Sequence, residues 1–461
     1  MSRQSRSPTS VHALRGGIVS FRDDPRASAE ALQFWRDGLL IVENGIIRAV
    51  GDAAELLATL PAGAKVDDWN GRFILPGFID THIHYPQTDI IASDAVQLLP
   101  WLERHAFPME SSFGDPVLAR ETAEFFLDEL LRNGTTTALV FATVHPESVE
   151  AIFAAARARR LRLAAGKVLM DRNAPEKLRD TVQSGYDQSL ALIRRWHGTG
   201  RLSYAVTPRF APTSSAAQLD AAGALYRENP GVLMQTHVAE SRDEIEWVRQ
   251  LFPAARSYLD VYCRFGLLGP RAVLAHGIHL DDEDRALLAS TRATIAFCPT
   301  SNLFMGSGLF DYGKMRAAGA RIALATDVGS GTSFSMLRTM HEAYKVCKLV
   351  GLPLSVLDAF YLATLGGARA MGLESSIGSI APGREADLVI LDPQATPLMA
   401  RRTARADSLE ERLFVLMMLG DDRAIAATYV LGDRVWRPAT PRSASRTSGP
   451  RETGRRGSRP T

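Results

Sequence analysis

From about residue 74 to about residue 371 the chain repeats one pattern, in which a short apolar run is followed by a stretch with helical spacing of Leu, Phe and Ile. Eight such runs occur, at Phe73–His84, Thr135–Val144, Leu161–Met170, Arg201–Phe210, Gly231–Glu240, Arg271–Leu280, Thr294–Thr300 and Arg321–Val328. Eight strands that alternate with helices are the number that closes a parallel barrel. The pattern therefore predicts an α/β fold, a (β/α)8 TIM barrel.

Both ends of the chain carry strand signals of a different kind. Asn44-Gly45 separates the apolar runs Leu39–Val42 and Ile46–Val50, which is typical of a β-hairpin. Strand-like runs return after the barrel at Ala386–Leu391 and Ala427–Gly432. We predict that residues 1–73 and 372–440 form one small β-sandwich-like domain beside the barrel of residues 74–371. Residues 441–461 are expected to be a disordered basic tail, since they are rich in Arg, Ser, Gly and Pro.

Charge and cysteine content narrow the function classes. The net charge is +2, and six arginines lie after residue 441, so the folded part is near neutral and no basic face for nucleic acid is expected. Cys263, Cys298 and Cys347 are few and widely spaced, which fits a reducing compartment. The first ten residues lack an apolar signal core, and no run of about 18 apolar residues follows. We expect a cytoplasmic protein with no membrane partner.

The first barrel run ends in a pair of histidines, within Pro76-Gly77-Phe78-Ile79-Asp80-Thr81-His82-Ile83-His84. Side chains two residues apart on a strand point to the same side, so His82 and His84 can bring two imidazoles to one ion. Two histidines packed in a core would each need a separate partner. The spacing therefore favours a metal site at the barrel mouth.

Later strands end in further candidates. His237 ends the fifth run, His276 the sixth and Asp327 the eighth, and Glu240 follows His237 by three residues. Taken singly, His276 or Asp327 is better explained as a hydrogen-bonded or capping residue. Their joint placement at strand ends, where barrel enzymes carry their chemistry, favours one shared site.

These ordered motifs resemble the amidohydrolase superfamily, in its single-metal deaminase branch, over about residues 39–436. The resemblance implies that His82, His84, His237 and Asp327 bind one Zn²⁺ per chain, and that Glu240 and His276 take part in the chemistry. Binuclear members use a carboxylated lysine instead. Lys167 in the third run leaves that alternative open, although the position of Glu240 favours one metal.

Within the superfamily the chain resembles the guanine deaminases. The local motifs are Pro86-Gln87, Leu99–Glu103 with Phe107–Glu110, Gly166–Asn173 and Thr207–Pro212, in the family's order. The resemblance implies hydrolytic deamination of guanine to xanthine and ammonia, as part of purine catabolism, by a homodimer.

A flat, polar, neutral ring calls for a particular set of side chains. Arg209 is a donor for the carbonyl oxygen of guanine, Gln87 is an amide for the ring N–H, and Phe210 and Trp101 supply apolar faces. His237 is expected to face the substrate as well as the metal. Without the motif context, a surface ion pair for Arg209 and core packing for Trp101 would be the better interpretations.

The predicted mechanism uses zinc to lower the pKa of a water molecule from about 15.7 towards 7. Asp327 takes the proton of this water, His276 orients the nucleophile and stabilises the developing charge, and Glu240 passes a proton to the ring nitrogen and then to the departing amine. Two other functions remain open. One is an amidohydrolase acting on a related aminopurine, pteridine or triazine ring, and the other is a barrel that has lost catalysis and serves as an assembly protein.

Overall fold

The structure is a computed structural model that describes residues 11–94 and 97–438. The tail predicted for residues 441–461 lies outside the described residues. The strands, in chain order, are β1 Val11–Phe21, β2 Leu32–Glu43, β3 Ile46–Asp52, β4 Lys65–Pro76, β5 Phe78–His84, β6 Thr135–Phe141, β7 Arg162–Gly166, β8 Val168–Leu169, β9 Leu202–Pro208, β10 Leu233–Val238, β11 Ala272–His276, β12 Thr294–Phe297, β13 Arg321–Leu324, β14 Leu388–Leu391, β15 Ile425–Val430 and β16 Asp433–Trp436.

The helices lie mainly between the barrel strands. In chain order they are α1 Ala53–Leu56, α2 Leu98–Trp101, α3 Phe107–Ser111, α4 Pro116–Arg132, α5 Pro146–Ala158, α6 Val182–Trp196, α7 Ala216–Glu228, α8 Arg242–Leu251, α9 Tyr258–Arg264, α10 Asp282–Thr291, α11 Pro299–Phe304, α12 Tyr312–Ala317, α13 Met336–Leu349, α14 Val356–Leu362, α15 Leu365–Ala370, α16 Pro397–Thr403 and α17 Leu409–Leu419. None of the helices in the described ranges is both long and apolar enough to cross a membrane.

A parallel sheet forms the barrel, in the order β13-β12-β11-β10-β9-β7-β6-β5, with the short β8 paired to β9. The first and last strands approach one another at the mouth, where the Asp327 amide donates to the His82 carbonyl at 3.0 Å and the His84 amide donates to the Val328 carbonyl at 2.7 Å. The predicted TIM barrel is confirmed.

Both chain ends contribute to a second sheet, as predicted, in the order β16-β15-β14-β4-β1-β2-β3. The apolar run Phe73–His84 is divided between the two sheets, because β4 ends at Pro76 and β5 begins at Phe78. Gly77 makes this change of sheet, and a Cβ atom there would lie 2.2 Å from Oγ1 of Thr136. Only glycine permits so close an approach.

Small apolar side chains fill the lower part of the barrel interior. They are Ile79, Leu139, Ala164, Ala205, Leu233, Val273, Ala275, Ala296, Cys298, Ala323 and Ala325, all buried in one cluster with Ala368, Ala370 and Met371. Because this layer is packed, the polar residues at the carboxyl ends of the strands are left facing the opposite, open end.

Candidate active site

The predicted metal ligands meet at the carboxyl ends of the strands. His82 and His84 lie on β5 and His237 on β10, and Asp327 follows β13. One ligand atom from each of these four residues lies within 4.8 Å of the others. The structure thus brings together residues up to 245 positions apart in the sequence, as expected from their places at strand ends.

The spacing of the ligand atoms fits a single metal ion. Nε2 of His84 lies 3.2 Å from Nε2 of both His82 and His237, and Oδ1 of Asp327 lies 3.2 Å from Nε2 of His82 and 3.4 Å from Nε2 of His84. A tetrahedral zinc site with bonds of 2.0–2.1 Å would place its ligand atoms about 3.3 Å apart. Oδ1 of Asp327 is moreover buried with no hydrogen-bond partner among the described residues. These residues therefore fit a metal.

The protonation of the cluster also suits a cation. Burial lowers the pKa of His82, and lowers those of His84 and His237 well below the usual value, so these imidazoles are neutral at pH 7. Burial would raise the pKa of Asp327, but the facing histidines hold it well below its ordinary value. Nδ1 of His237 lies 2.7 Å from the Arg209 carbonyl, to which it donates, leaving Nε2 as an acceptor.

Next to the cluster lies a second group, made of Glu240 and His276. Nε2 of His276 lies 3.4 Å from Oε2 of Glu240 and 3.8 Å from Oδ2 of Asp327. Burial raises the pKa of Glu240 to about 7, which suits a group that both takes up and gives up a proton at neutral pH. Burial lowers the pKa of His276, but the carboxylates of Glu240 and Asp327 outweigh it, and the net shift is upward.

Three side chains that sequence reasoning missed orient these groups. Ser307 donates to Oε1 of Glu240 at 3.0 Å, Oδ1 of Asn302 lies 2.9 Å from Nδ1 of His276, and Ser330 donates to Oδ2 of Asp327 at 2.8 Å. All three lie in loops or short helices with no periodic signal. The only sequence cue was that Asn302 follows β12 and Ser330 follows β13 within a few residues.

The backbone at this mouth is bent unusually. Ala239, His276 and Asp327 have positive φ angles of 48°, 72° and 52°. Left-handed backbone is uncommon outside glycine and costs on the order of 1 kcal/mol or more at each residue. The bends occur where β10, β11 and β13 end, and they turn Glu240, His276 and Asp327 toward the same space.

That space is a cavity at the mouth of the barrel. All five residues predicted to contact substrate line it, namely Gln87, Trp101, Arg209, Phe210 and His237. Glu240, His276 and Asp327 line it too, together with His84, Leu98, Leu102, Glu244 and Ser330. Trp101 is buried among the apolar residues of α2 and Phe210, so it serves both as packing and as pocket wall.

Arg209 is ion-paired, but not at the surface. Its Nη1 donates to Oε2 of Glu110 at 2.5 Å, with only 3% of Arg209 and 1% of Glu110 exposed. Gln87 donates to the other oxygen, Oε1, at 2.8 Å. Glu110 belongs to the motif Phe107–Glu110, but no pattern in the sequence predicted that its carboxylate would join Gln87 and Arg209.

Lys167 is buried, and its ammonium donates to the carboxylate of Asp180 and, at 3.3 Å, to the carbonyl of Val168. This ion pair holds, as an ammonium, the nitrogen to which the metal-bridging carboxyl group of a carboxylated lysine would be attached. The geometry therefore favours a single-metal site.

Comparison with known proteins places the chain in a family. Residues 73–435 match the model of the amidohydrolase family. The chain belongs to the amidohydrolase family. It is 49% identical to guanine deaminase of Escherichia coli over 92% of this chain and 98% of that protein. The structure of the E. coli enzyme superposes with a TM-score of 0.91, covering 93% of this chain and all of that one.

A second amidohydrolase structure is that of guanine deaminase from C. acetobutylicum with bound guanine in the active site. It is 28% identical, with a TM-score of 0.84, and covers 92% of this chain and all of that one. The predicted resemblance to the guanine deaminases is thereby confirmed.

Proposed function

We propose that this amidohydrolase is a zinc-dependent guanine deaminase, which converts guanine and water to xanthine and ammonia. The observation that carries the proposal is that one cavity is lined both by three of the four metal-binding residues with the proton-carrying groups and by Arg209, Gln87 and Phe210. Similarity to guanine deaminases over nearly the whole chain supports the same function.

His82, His84, His237 and Asp327 would hold the zinc ion. Zinc supplies hydroxide at neutral pH, because it lowers the pKa of water from about 15.7 towards 7. Three imidazoles and one carboxylate match the nitrogen and oxygen ligands that zinc takes in proteins. Cys298 is left out, since burial raises the pKa of its thiol well above the usual value and its Sγ faces the Ala296 carbonyl at 3.3 Å.

The protein groups carry the protons. Oδ2 of Asp327 accepts a proton from the attacking water, and His276 directs the water oxygen to the ring carbon that bears the amino group. Glu240 donates a proton to the adjacent ring nitrogen, so that this carbon becomes tetrahedral. Glu240, now a carboxylate, takes the proton of the new hydroxyl group on this carbon and delivers it to the amino group, the carbon–nitrogen bond breaks as the carbonyl forms, and ammonia leaves. The proton held by Asp327 then returns to Glu240 and restores both groups.

Substrate contacts follow from the cavity walls. Arg209 donates to the carbonyl oxygen at position 6, and Gln87 contacts the ring edge. Trp101 and Phe210 pack on the ring faces. A purine with an amino group at position 6 would meet the guanidinium donor to donor, so the pocket selects against adenine.

The test is a spectrophotometric assay of the purified, zinc-loaded protein against guanine, adenine, 8-oxoguanine, a pteridine and a chloro-triazine. We expect turnover of guanine at a rate far above that of the others. Preference for another ring would reassign the substrate, and lack of turnover of any ring by metal-loaded protein would favour the assembly-protein alternative.

The proposal includes a homodimer in the cytoplasm. Its support is the family resemblance together with three cysteines that are free thiols in the structure. Analytical ultracentrifugation tests the dimer, and fractionation of the source cells tests the compartment.

A further inference from the structure

Glu110 is buried beside the pocket but belongs neither to the proposed metal ligands nor to the proton-carrying residues. It lies on α3, and its carboxylate joins Gln87, which follows β5, to Arg209, which follows β9. Oε1 of Glu110 accepts from Gln87 and Oε2 accepts from Arg209. All three side chains are at least 97% buried. A buried carboxylate that bridges two pocket-lining groups is in a position to govern both.

We propose that Glu110 is a positioning residue that fixes the hydrogen-bonding pattern of the pocket and cancels the charge of Arg209, so that the pocket selects a neutral ring over an anionic one. The inference rests on the proposed function, because it concerns how that pocket reads its substrate.

The first consequence concerns Gln87, whose amide is held in one orientation. Its Nε2 donates to Glu110, and its Oε1 accepts from the Gly329 amide at 3.2 Å. Turning the amide over would set oxygen against carboxylate and N–H against N–H. Glu110 thereby decides which end of the amide each neighbour meets.

The second consequence concerns Arg209. Its guanidinium carbon lies 5.3 Å from the centre of the Phe107 ring, and Nη1 is taken by Glu110. Among the described residues no protein acceptor meets its other nitrogens, so they remain for a ligand. A planar guanidinium held by one edge keeps its remaining donors in a fixed direction.

The third consequence is electrostatic. An unpaired guanidinium in so buried a site would attract anions strongly, whereas the pair with Glu110 has no net charge. Xanthine loses a ring proton more readily than guanine, because its second carbonyl withdraws electrons. A neutral Arg209–Glu110 pair therefore lets the substrate bind without retaining the ionised product.

The experiment uses the full-length, zinc-loaded protein and the variant Glu110→Gln, which keeps the size but removes the charge. We measure kcat and KM for guanine, and inhibition by xanthine at pH 6 and at pH 8.5, where more xanthine is ionised. Since close buried charge pairs couple by about 1.5 kcal/mol or more, kcat/KM should fall at least about tenfold, and xanthine should inhibit at least about tenfold more strongly at pH 8.5 than in the parent. Inhibition that matches the parent at both pH values would overturn the electrostatic role.

A second variant separates position from charge. Glu110→Asp keeps the charge but shortens the reach, so kcat/KM for guanine should fall while xanthine inhibition keeps the parent's dependence on pH. Parent-like kcat/KM in Glu110→Asp would overturn the positioning role. If Glu110→Gln does not fold, the kcat/KM of Glu110→Asp still tests the positioning role.

Asp387→Asn is the matched control. Asp387 is 4% exposed and accepts from Arg201, forming another buried ion pair, which lies between the start of β9 and the small sheet. This variant should lose stability without changing the pH dependence of xanthine inhibition. If it changed that dependence as Glu110→Gln does, the effect would be structural and our inference wrong. Guanine binding to the parent protein is measured by the quenching of tryptophan fluorescence. If the parent neither bound guanine nor turned it over, the proposed function itself would be overturned.

Discussion

Oδ1 of Asn302 lies 2.9 Å from Nδ1 of His276, and this contact places the ring proton on Nδ1. Nε2 is then the atom that faces Glu240 at 3.4 Å and Asp327 at 3.8 Å. Asn302 is buried within α11, its side chain contacts the site at His276, and its backbone carbonyl accepts from the Ser307 amide at 2.9 Å. A change of the Asn302 side chain therefore acts on the reaction through His276.

Asn302→Ala should lower kcat by about 10- to 100-fold, by analogy with the loss seen when the hydrogen-bond partner of a metal-ligating histidine is removed. Metal content should stay at the parent value, because His276 is outside the proposed ligand set. Asn302→Asp puts a carboxylate beside the imidazole and raises the pKa of His276, so the pH profile of kcat should move to higher pH. An unmoved profile in Asn302→Asp would contradict the positioning role.

Glu240→Gln should reduce turnover by about 100-fold or more, since an amide cannot carry the proton from water to the departing amine. Zinc should remain bound, as Glu240 is not a proposed ligand. Kinetics and metal analysis check both. The matched control is Glu246→Gln, an exposed residue on α8 paired with Arg249, which should keep parent activity. If Glu240→Gln turned over guanine at nearly the parent rate, Glu240 would have a structural role and would not carry protons.

The same residue predicts a dependence of stability on pH. Burial raises the pKa of Glu240 from 4.5 to about 7, so the folded state binds the proton more tightly than the unfolded state. Its stabilising contribution is complete below pH 4.5 and is lost as pH rises through about 7, by up to about 3 kcal/mol. In metal-free protein, the loss of stability between pH 5 and pH 8 should be smaller in Glu240→Gln than in the parent. The free energy of unfolding is measured by chemical denaturation at each pH. If it changed equally with pH in the parent and in Glu240→Gln, the folded state would not hold the proton of Glu240 more tightly than the unfolded state.

One zinc ion per chain is expected in purified protein, because four ligand atoms converge on one point and Lys167 is paired with Asp180. Elemental analysis gives the count. Removal by a chelator should abolish activity and lower the melting temperature, since a ligand that binds only the folded state stabilises it. Two ions per chain would restore the carboxylated-lysine alternative.

Arg209→Met should damage guanine turnover severely, on the order of 10⁴-fold if the site is built to pair the carbonyl oxygen. The structure adds a cost that the sequence did not predict, because the change leaves Glu110 buried without its ion-pair partner, at about 3–5 kcal/mol. The double variant Arg209→Met with Glu110→Gln should recover much of this stability but not the activity. Guanine turnover near the parent rate in either variant would remove the main physical support for guanine recognition.

The sequence by itself determined the barrel and the approximate place of the site. Strand and helix periodicities depend on near neighbours, so eight alternating apolar runs were enough to count the strands. The two-residue spacing of His82 and His84 fixed a shared side of β5. The positions of His237, His276 and Asp327 at later strand ends then predicted convergence, because parallel strands carry their carboxyl ends to one mouth.

Only the tertiary structure decided which partners these residues take. Glu110 and Arg209 are 99 residues apart, and Asn302 and His276 are 26 apart, on segments without periodicity. The division of one apolar run at Gly77, and the pairing of Lys167 with Asp180, likewise depend on contacts between distant segments. Hydrogen bonds of this kind form where loops fold over the mouth of the barrel, and the path of a loop is set by what it packs against and not by its own local sequence.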